Sequence, residues 1–406
     1  MVIKNAVIFE NGEEKRVDVK IIDGKIEEIS PKITTLGDEF IDAEGLYLFP
    51  SIVDLNVRLY NDKLNRKNLD RLFENALKGG IGTFVLMPDF SPKIDNETIL
   101  EFLNARISEE SKIRTFLSIA ASRDGERLNN ISTLLKYGSD VLFENSSANG
   151  NIIRRAMQYA KMKEIPFMIF CNNPDLNDSG VMNESEVSFK LGLAGISKIS
   201  EISEAAKIAE MAVYYGIKLI FQSLSTARSI EIANDAKSRN EKIFCEVSIH
   251  HLVKNDSSCE GFNTAAKLMP PLRDEEEREK LLEALMDDKI DVLTALHSPK
   301  SVLYKDVAFA DAKYGIDSIR DFLPLCYTYL VRENIIDFEK LFEKISLNPS
   351  KILNLKDRGA VKEGYRADLI LFNPSYKEIK EDKTSLYYKD TIYGKVEKVI
   401  VNGEIL

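Results

Sequence analysis

The sequence predicts an α/β fold, a (β/α)8 TIM barrel accompanied by a small β domain that is built from both ends of the chain. Short β patterns with Asn-Gly or Asp-Gly turns occupy both terminal regions. Between them, strand patterns alternate with amphipathic helix patterns, as in parallel βα units. The 406 residues, 44% of them hydrophobic, suffice for a core of this size.

The terminal regions follow a hairpin pattern. The predicted turns are Asn11-Gly12, Asp23-Gly24 and Asn402-Gly403, each next to alternating or β-branched residues. Two β segments at opposite ends of a chain can pair with each other. We therefore predict a composite β-sandwich domain from residues 1–48 and 356–406, and a barrel domain from residues 49–355.

Eight strand patterns are present between the termini. They lie at 48–57, 83–87, 115–120, 140–143, 167–171, 217–222, 243–248 and 291–295. One intervening helix is predicted to start at Ser203 as its N-cap and to end at Gly216. In a (β/α)8 barrel the chemistry lies at the carboxyl ends of the strands, so we expect functional residues there.

Composition and charge exclude several classes of protein. The formal charge is −10 and no basic stripe is present, which argues against a nucleic-acid partner. No apolar run approaches the roughly 20 residues of a membrane helix, and the first residues alternate as in a strand rather than a signal peptide. The four cysteines show no paired spacing. We therefore predict a cytoplasmic protein. A homo-oligomer is compatible with the predicted barrel.

Several segments together resemble one family. GLYLFPSIVDLNVRL (45–59) is similar to an opening strand that normally ends in Asp-x-His-x-His, CEVSIHHL (245–252) to CEVTPHHL, and DVLTALHSPKS (291–301) to a strand ending in Asp-His-Ala-Pro-His. NTAAKLMPPLR (263–273) and the C-terminal GAVKEGYRADLILFNP (359–374) follow in the same order. The chain resembles the dihydroorotases of the amidohydrolase superfamily over nearly its whole length, which implies a barrel of amidohydrolase type.

The resemblance implies a zinc site, but the residues that it assigns to this site are unusual. A hydrolytic zinc site needs nitrogen, oxygen or sulfur ligands and an open position for water. The family's ligand positions fall here on Asn56, Arg58, Asn145, Phe170, Ser223 and Leu296. The catalytic aspartate falls on Leu296, next to His297. We therefore expect no catalytic residues and no zinc or other cofactor, although active relatives require zinc.

The substrate positions that the resemblance implies also differ. The family's carboxylate-binding arginine falls on Tyr60, its two asparagines on Asp89 and Met269, and a histidine on Lys300. Together with Arg58, these residues define a predicted vestigial pocket in which Arg58 and Lys300 could attract an anion.

Four further side chains at strand ends have two interpretations each. His250, His251 and His297 can be ligands or catalysts, but hydrogen-bonded structural histidines are favoured because no carboxylate neighbours the pair in sequence. Cys171 can be a nucleophile or a small buried residue, and the second is favoured without a base partner.

Three hypotheses about function follow. The first is a non-catalytic dihydroorotase-like protein of pyrimidine biosynthesis, a structural or regulatory partner of aspartate transcarbamoylase, as the resemblance to metal-less relatives implies. The second is an active dihydroorotase or related cyclic-amide hydrolase with a rearranged site. The third is a sensor that binds an anion at Arg58 and Lys300.

Overall fold

The computed structural model describes residues 1–35, 39–110 and 112–406. In chain order its strands are β1 (Val2–Glu10), β2 (Glu13–Ile22), β3 (Lys25–Ser30), β4 (Phe40–Asp42), β5 (Tyr47–Pro50), β6 (Ile52–Val57), β7 (Ile81–Leu86), β8 (Arg114–Ala120), β9 (Val141–Asn145), β10 (Phe167–Phe170), β11 (Met182–Asn183), β12 (Gly195–Ile196), β13 (Leu219–Gln222), β14 (Ile243–Ser248), β15 (Val292–Thr294), β16 (Leu369–Ile379), β17 (Thr391–Val401) and β18 (Glu404–Ile405).

The α-helices are α1 (Arg66–Lys78), α2 (Glu97–Glu110), α3 (Ile131–Lys136), α4 (Gly150–Lys163), α5 (Glu186–Leu191), α6 (Lys198–Tyr215), α7 (Ala227–Arg239), α8 (Ile249–Val253), α9 (Glu275–Met286), α10 (Val302–Lys305), α11 (Phe322–Cys326), α12 (Phe338–Phe342) and α13 (Asn348–Ile352). Short 3-10 turns lie at Tyr60–Asp62, Pro174–Leu176, Asp256–Phe262 and Thr264–Ala266, and π turns at Tyr327–Val331 and Glu343–Leu347. None of the described helices combines the length and apolar composition needed to cross a membrane.

Eight parallel strands form the barrel in the order β15-β14-β13-β10-β9-β8-β7-β6. The first and last strands meet through a parallel bridge between Val57 and His297 and a backbone hydrogen bond of 2.8 Å from Arg58 N to His297 O. The predicted fold class, a (β/α)8 barrel with a small β domain, is confirmed. The strand patterns read from the sequence fall on these eight strands, except that the first pattern is divided between β5 and β6.

The two ends of the chain form one mixed sheet, in the order β18-β17-β16-β5-β1-β2-β3 with β4 paired to β1. The N-terminal and C-terminal halves join where β5 pairs antiparallel with β16. All three predicted hairpin turns have positive φ at both central residues, as a type I′ turn requires. The domain boundaries at 48/49 and 355/356 stay a prediction.

Two apolar layers support the barrel. Alternate residues, such as Val85 on β7 and Met87 directly after it, or Val141 and Phe143 on β9, form a cluster within the barrel. Residues of the opposite face, such as Leu86 and Leu142, pack against the helices. The strands are buried on both faces, as expected for a parallel sheet. This packing holds the carboxyl ends of the eight barrel strands together in a ring.

One helix boundary was predicted wrongly. α6 begins at Lys198, five residues before the predicted N-cap Ser203, although it ends at Gly216 in the left-handed conformation as predicted. The extra turn is held by tertiary contacts: the Ser200 hydroxyl donates to Asn173 O at 2.9 Å, and Glu201 accepts hydrogen bonds from residues 225 and 226. These contacts are distant in sequence and override the local capping pattern.

Candidate functional site

The candidate site is a cavity of about 230 Å³ at the carboxyl ends of the barrel strands. All six positions predicted from the zinc ligands of the family line it: Asn56, Arg58, Asn145, Phe170, Ser223 and Leu296. Of the predicted pocket residues, Arg58, Asp89, Met269 and Lys300 also line it. Tyr60 is not among the described lining residues, and its ring lies 4.1 Å from the Arg71 guanidinium instead.

A hydrogen-bonded network crosses the floor of the cavity. Arg58 Nε donates to Asp89 Oδ2 at 2.8 Å, and Arg58 Nη1 donates to Asn56 Oδ1. Asn56 Nδ2 in turn donates to Ser223 Oγ at 2.8 Å and to Glu246 Oε1 at 2.9 Å. Three predicted ligand positions, on or just after β6 and β13, are therefore bonded to one another. The network has a carboxylate at each end, Asp89 and Glu246, and the Arg58 guanidinium lies between them.

Glu246 on β14 is a central residue that the sequence did not single out. It is fully buried, and its Oε1 accepts from Asn56 Nδ2. The same oxygen accepts from the backbone N–H and from the hydroxyl of Ser223, both at 3.1 Å. Its Oε2 has no hydrogen-bond partner among the described residues. Burial, reinforced by the nearby Asp54 carboxylate, raises the pKa of Glu246 to about 7. A carboxylate between apolar strand residues was the available signal, because buried charges need partners.

Asp54 ties the two ends of the barrel together. Its carboxylate accepts from Thr294 Oγ1 at 2.6 Å, from Ala295 N at 3.0 Å and from Asn56 N at 2.9 Å. Burial raises the pKa of this carboxyl, while the hydrogen bonds oppose the increase. Asp54 is on β6 and two of its partners, Thr294 and Ala295, are on and directly after β15, so its hydrogen bonds join the first and last strands of the barrel.

The residue at the catalytic position of β15 offers no polar group. Leu296 lines the cavity with an aliphatic side chain and adopts φ +50°, a conformation that is strained for leucine. The adjacent His297 lies outside the cavity lining, where its Nδ1 accepts the backbone N–H groups of Ser318 and Ile319, both at 3.3 Å. Burial lowers the pKa of His297 to about 4, so the ring is neutral.

The paired histidines also have local partners. His250 Nε2 donates to Ala295 O at 3.0 Å, so its Nδ1 accepts from the Tyr387 hydroxyl at 2.7 Å. His251 Nε2 donates to Pro270 O at 3.1 Å, and its Nδ1 accepts from Ser248 Oγ at 2.7 Å. Burial lowers their pKa values to about 3 and about 4. These contacts fit the structural interpretation of both residues.

Cys171 follows β10 and is buried. Burial, together with the negative charge of Glu201 and Glu204, raises the pKa of its thiol well above the ordinary value. A protonated thiol is a weak nucleophile, which fits the interpretation of Cys171 as a small buried residue.

The two cations of the predicted anion site are both paired. Arg58 contacts Asp89, and Lys300 Nζ donates to Asp62 Oδ1 at 2.7 Å and to Ser298 Oγ at 2.9 Å. Burial lowers the pKa of Lys300, although the Asp62 partner opposes this. The lysine side chain is only 4% exposed, whereas Asp62 is 41% exposed. The cations therefore do not form a simple positive patch.

The comparisons with known proteins agree with this architecture. The model of the amidohydrolase family matches residues 47–406. The chain belongs to this family. A dihydroorotase of Carboxydothermus hydrogenoformans is 34% identical over 381 residues, covering 92% of this chain and 88% of that protein. A dihydroorotase of Ruminiclostridium cellulolyticum is 32% identical over 417 residues, covering 99% and 97%.

Solved structures of this amidohydrolase architecture cover the complete chain. The L-hydantoinase (dihydropyrimidinase) of Arthrobacter aurescens superposes with a TM-score of 0.89 at 20% identity, covering 100% of this chain and 95% of that one. A D-hydantoinase superposes with a TM-score of 0.85 at 18% identity, covering 100% and 94%. At these identities the likeness shows the fold.

The side chains at the predicted ligand positions of this member of the amidohydrolase family do not fit a catalytic zinc ion. Phe170 and Leu296 present only carbon, and Arg58 presents a guanidinium that is bonded to Asn56. A guanidinium stays protonated in proteins and has no lone pair for a metal. Within residues 1–35, 39–110 and 112–406, no three His, Cys, Asp or Glu side chains come together as a group able to hold a metal ion.

Proposed function

We propose that this chain is a dihydroorotase-related member of the amidohydrolase family that does not carry out metal-dependent hydrolysis, and that it serves pyrimidine biosynthesis as a structural or regulatory partner of aspartate transcarbamoylase. The observation that carries the first part is the contact between Arg58 and Asn56. Two positions that bind zinc in the family are here bonded to each other. One of them is permanently cationic.

The electrostatic cost of a metal beside Arg58 supports this proposal. At about 4 Å and an effective dielectric constant near 20, two unit charges interact by roughly 4 kcal/mol, so a dication and a guanidinium repel by roughly 8 kcal/mol. Asp89, which is paired with Arg58, offsets part of that repulsion, but Asn56, Asn145 and Ser223 at the ligand positions add no negative charge. Metal-activated water is therefore not expected at this site.

The first experiment measures metal content and dihydroorotate hydrolysis of the purified protein, with and without added zinc. The dihydroorotase of C. hydrogenoformans, prepared in parallel, is the positive control. We expect a metal content below one ion per ten chains, on the order of trace contamination, and no zinc-dependent turnover. Stoichiometric metal together with turnover would overturn the proposal.

The partner role is tested separately. It is supported by the resemblance to metal-less relatives and by the argument that an interaction surface needs an intact fold rather than a reactive centre. The protein is mixed with the aspartate transcarbamoylase of its own organism, and mass is followed by light scattering during gel filtration. We expect a larger complex or a changed transcarbamoylase activity. Unchanged mass and unchanged activity would contradict this part.

A second candidate function is cyclic-amide hydrolysis without a metal. It is favoured by one observation: the Ser223 hydroxyl donates to a buried carboxylate whose pKa is near 7, so a hydroxyl and a base are adjacent at the cavity. The same assay, run with a chelator, tests it. Turnover that persists with the chelator and is lost in Glu246→Gln and Ser223→Ala would support it, and absence of turnover in the unmodified protein would exclude it.

A further inference from the structure

The cavity retains hydrogen-bonding groups of both kinds that have no partner among the described residues. The donors are Arg58 Nη2 and the side-chain amide of Asn145. The acceptors at the rim are Asp62 Oδ2 and Asp89 Oδ1, the second oxygens of the two carboxylates that pair with cations. Asp62, Asp89 and Asn145 are open to solvent, so these groups are available to a ligand that enters the cavity.

Gln222 provides an independent sign of a ligand. It is 1% exposed and lines the cavity, and its Oε1 has no hydrogen-bond partner in the described chain. A buried acceptor without a partner destabilises the fold, because it has lost its hydrogen bonds to water. Its amide nitrogen approaches only the sulfur of Met87, at 3.2 Å, which is a weak acceptor. A ligand N–H would satisfy this oxygen.

The charges of the cavity decide what class of ligand fits. Arg58 and Lys300 contribute two positive charges, and Asp89 and Asp62 contribute two negative charges as their direct partners. A simple anion must compete with both carboxylates for the cations. A molecule that carries both a carboxylate and an ammonium group can pair its carboxylate with a cation and its ammonium with a carboxylate of the cavity, because charged groups of both signs are accessible at the rim.

We propose that this cavity binds a small zwitterionic molecule of the free amino acid class. Its carboxylate accepts from Arg58 Nη2 and Asn145, and its ammonium donates its three N–H groups to Gln222 Oε1 and to the free oxygens of Asp62 and Asp89. The apolar wall of Phe170, Leu296 and Met269 accommodates a short side chain. The volume of about 230 Å³ lies below the range of about 300–1,000 Å³ that drug-sized ligands occupy, so the ligand is small.

The experiment is a thermal-shift screen of the full chain with the proteinogenic amino acids at millimolar concentration, followed by calorimetric titration of those that shift the midpoint. Each amino acid that binds is compared with its deaminated acid and its decarboxylated amine, for example alanine with propionate and ethylamine. We expect the zwitterion to raise Tm by about 1–3 °C and neither analogue to do so. An equal shift with the acid alone, or no shift with any amino acid, overturns the proposal.

Two variants test the geometry. Gln222→Met removes the unpartnered acceptor at similar volume and is expected to weaken amino acid binding at least tenfold, whereas Gln158→Met, on the exposed face of α4, leaves it unchanged. Asp89→Asn frees Arg58 from its carboxylate, so the preference should move from the zwitterion towards the simple acid. Binding that is unaffected by both variants places the ligand elsewhere and also overturns the proposal.

This inference goes beyond the proposed function, since a barrel can support a partner enzyme with its cavity empty. The two are distinguishable by experiment. Nuclear magnetic resonance of the amino acid after incubation reports whether it is chemically unchanged. Bound and unchanged ligand supports this site whatever the result of the metal assay, and no binding overturns it without affecting the proposed function.

Discussion

Two buried polar clusters lie within a few residues of each other and differ in how completely their groups are satisfied. In the first, Glu201 on α6 accepts from the backbone and hydroxyl groups of Ser225 and Thr226 with both carboxylate oxygens. Arg273 completes it, with Nε donating to Ser225 Oγ at 2.9 Å and Nη1 to Asn183 Oδ1 at 3.1 Å. In the second, around Glu246, one carboxylate oxygen has no partner among the described residues.

The difference separates scaffold from site. A buried ionic cluster with every group bonded fixes the local structure, because breaking any member leaves a charge without a partner. A buried cluster with unpaired atoms is less favourable for stability until a water, an ion or a ligand completes it. The Glu201–Arg273 cluster holds the loop after β13 in position. The Glu246 network includes Ser223, which lies two residues before Ser225 in the same loop. Through Ser223 this network faces the cavity.

The largest change in stability is expected when the Glu201–Arg273 cluster is disrupted. Arg273→Met leaves the buried Glu201 carboxylate without its cation, and we expect the free energy of unfolding to fall by about 3–5 kcal/mol. Urea unfolding followed by circular dichroism measures it. The matched control is Arg228→Met, which removes an exposed arginine paired with Glu231 and should change stability by no more than about 1 kcal/mol. Similar effects of both would remove the distinction between the clusters.

The pH dependence of stability probes both kinds of buried group together. The three histidines have folded pKa values of about 3, 4 and 4, so below about pH 6.5 the unfolded chain binds three protons that the folded chain does not. Stability is therefore lost as pH falls. Glu246 acts in the opposite direction, because its raised pKa of about 7 lets the folded chain bind a proton that the unfolded chain binds only near pH 4.5.

These four groups together take up about two protons on unfolding, equivalent to a loss of roughly 2–3 kcal/mol per pH unit between about pH 6 and pH 4.5. Asp54 and Glu144, whose pKa values burial also raises, make the slope of the whole chain shallower than this. Urea midpoints from pH 8 to pH 5 measure this slope. Glu246→Gln removes one opposing group, so the slope should become steeper. If the stability of Glu246→Gln also stays level down to pH 5, the assignment of three neutral buried histidines is contradicted.

Local patterns predicted the scaffold well, because its determinants are short-range. The Asn11-Gly12, Asp23-Gly24 and Asn402-Gly403 turns were recognised since only residues that tolerate positive φ suit a type I′ hairpin. The positions around the cavity, including Asn56, Arg58 and Ser223, were found through the order of the family motifs.

The electrostatics of the site were not predictable in the same way. The hydrogen bond from Asn56 to Glu246 joins residues separated by 190 positions, and the pairing of Lys300 with Asp62 spans 238. Neither leaves a local pattern. The predicted pocket therefore lacked Asp62, and although it contained Asp89, the pairing of Asp89 with Arg58 was not predicted. The helix start at Lys198 was missed for the same reason, since the contacts of Ser200 and Glu201 decide it.

A smaller effect comes from changing the charge of the satisfied carboxylate while preserving its shape. In Glu201→Gln, one acceptor oxygen becomes an NH2 group that faces the N–H and hydroxyl donors of Ser225 or Thr226. The arginine also loses its counter-charge. We expect a loss of about 2–3 kcal/mol in the free energy of unfolding, by the cost of buried groups left unpaired. A loss below about 1 kcal/mol would mean that the hydrogen bonds rearrange around the amide.

The smallest effect is expected for the same substitution in the unsatisfied network. Glu246→Gln at pH 8 removes a buried negative charge near Asp54, retains one oxygen to accept from Asn56 and Ser223, and changes only the oxygen that had no partner. The relief of charge burial offsets the new unpaired NH2 group, so stability should change by no more than about 1 kcal/mol. Urea unfolding of the two glutamine variants side by side gives the comparison. If Glu246→Gln costs as much as Glu201→Gln, the Glu246 carboxylate is as fully bonded as its neighbour and its second oxygen has a partner such as an ordered water.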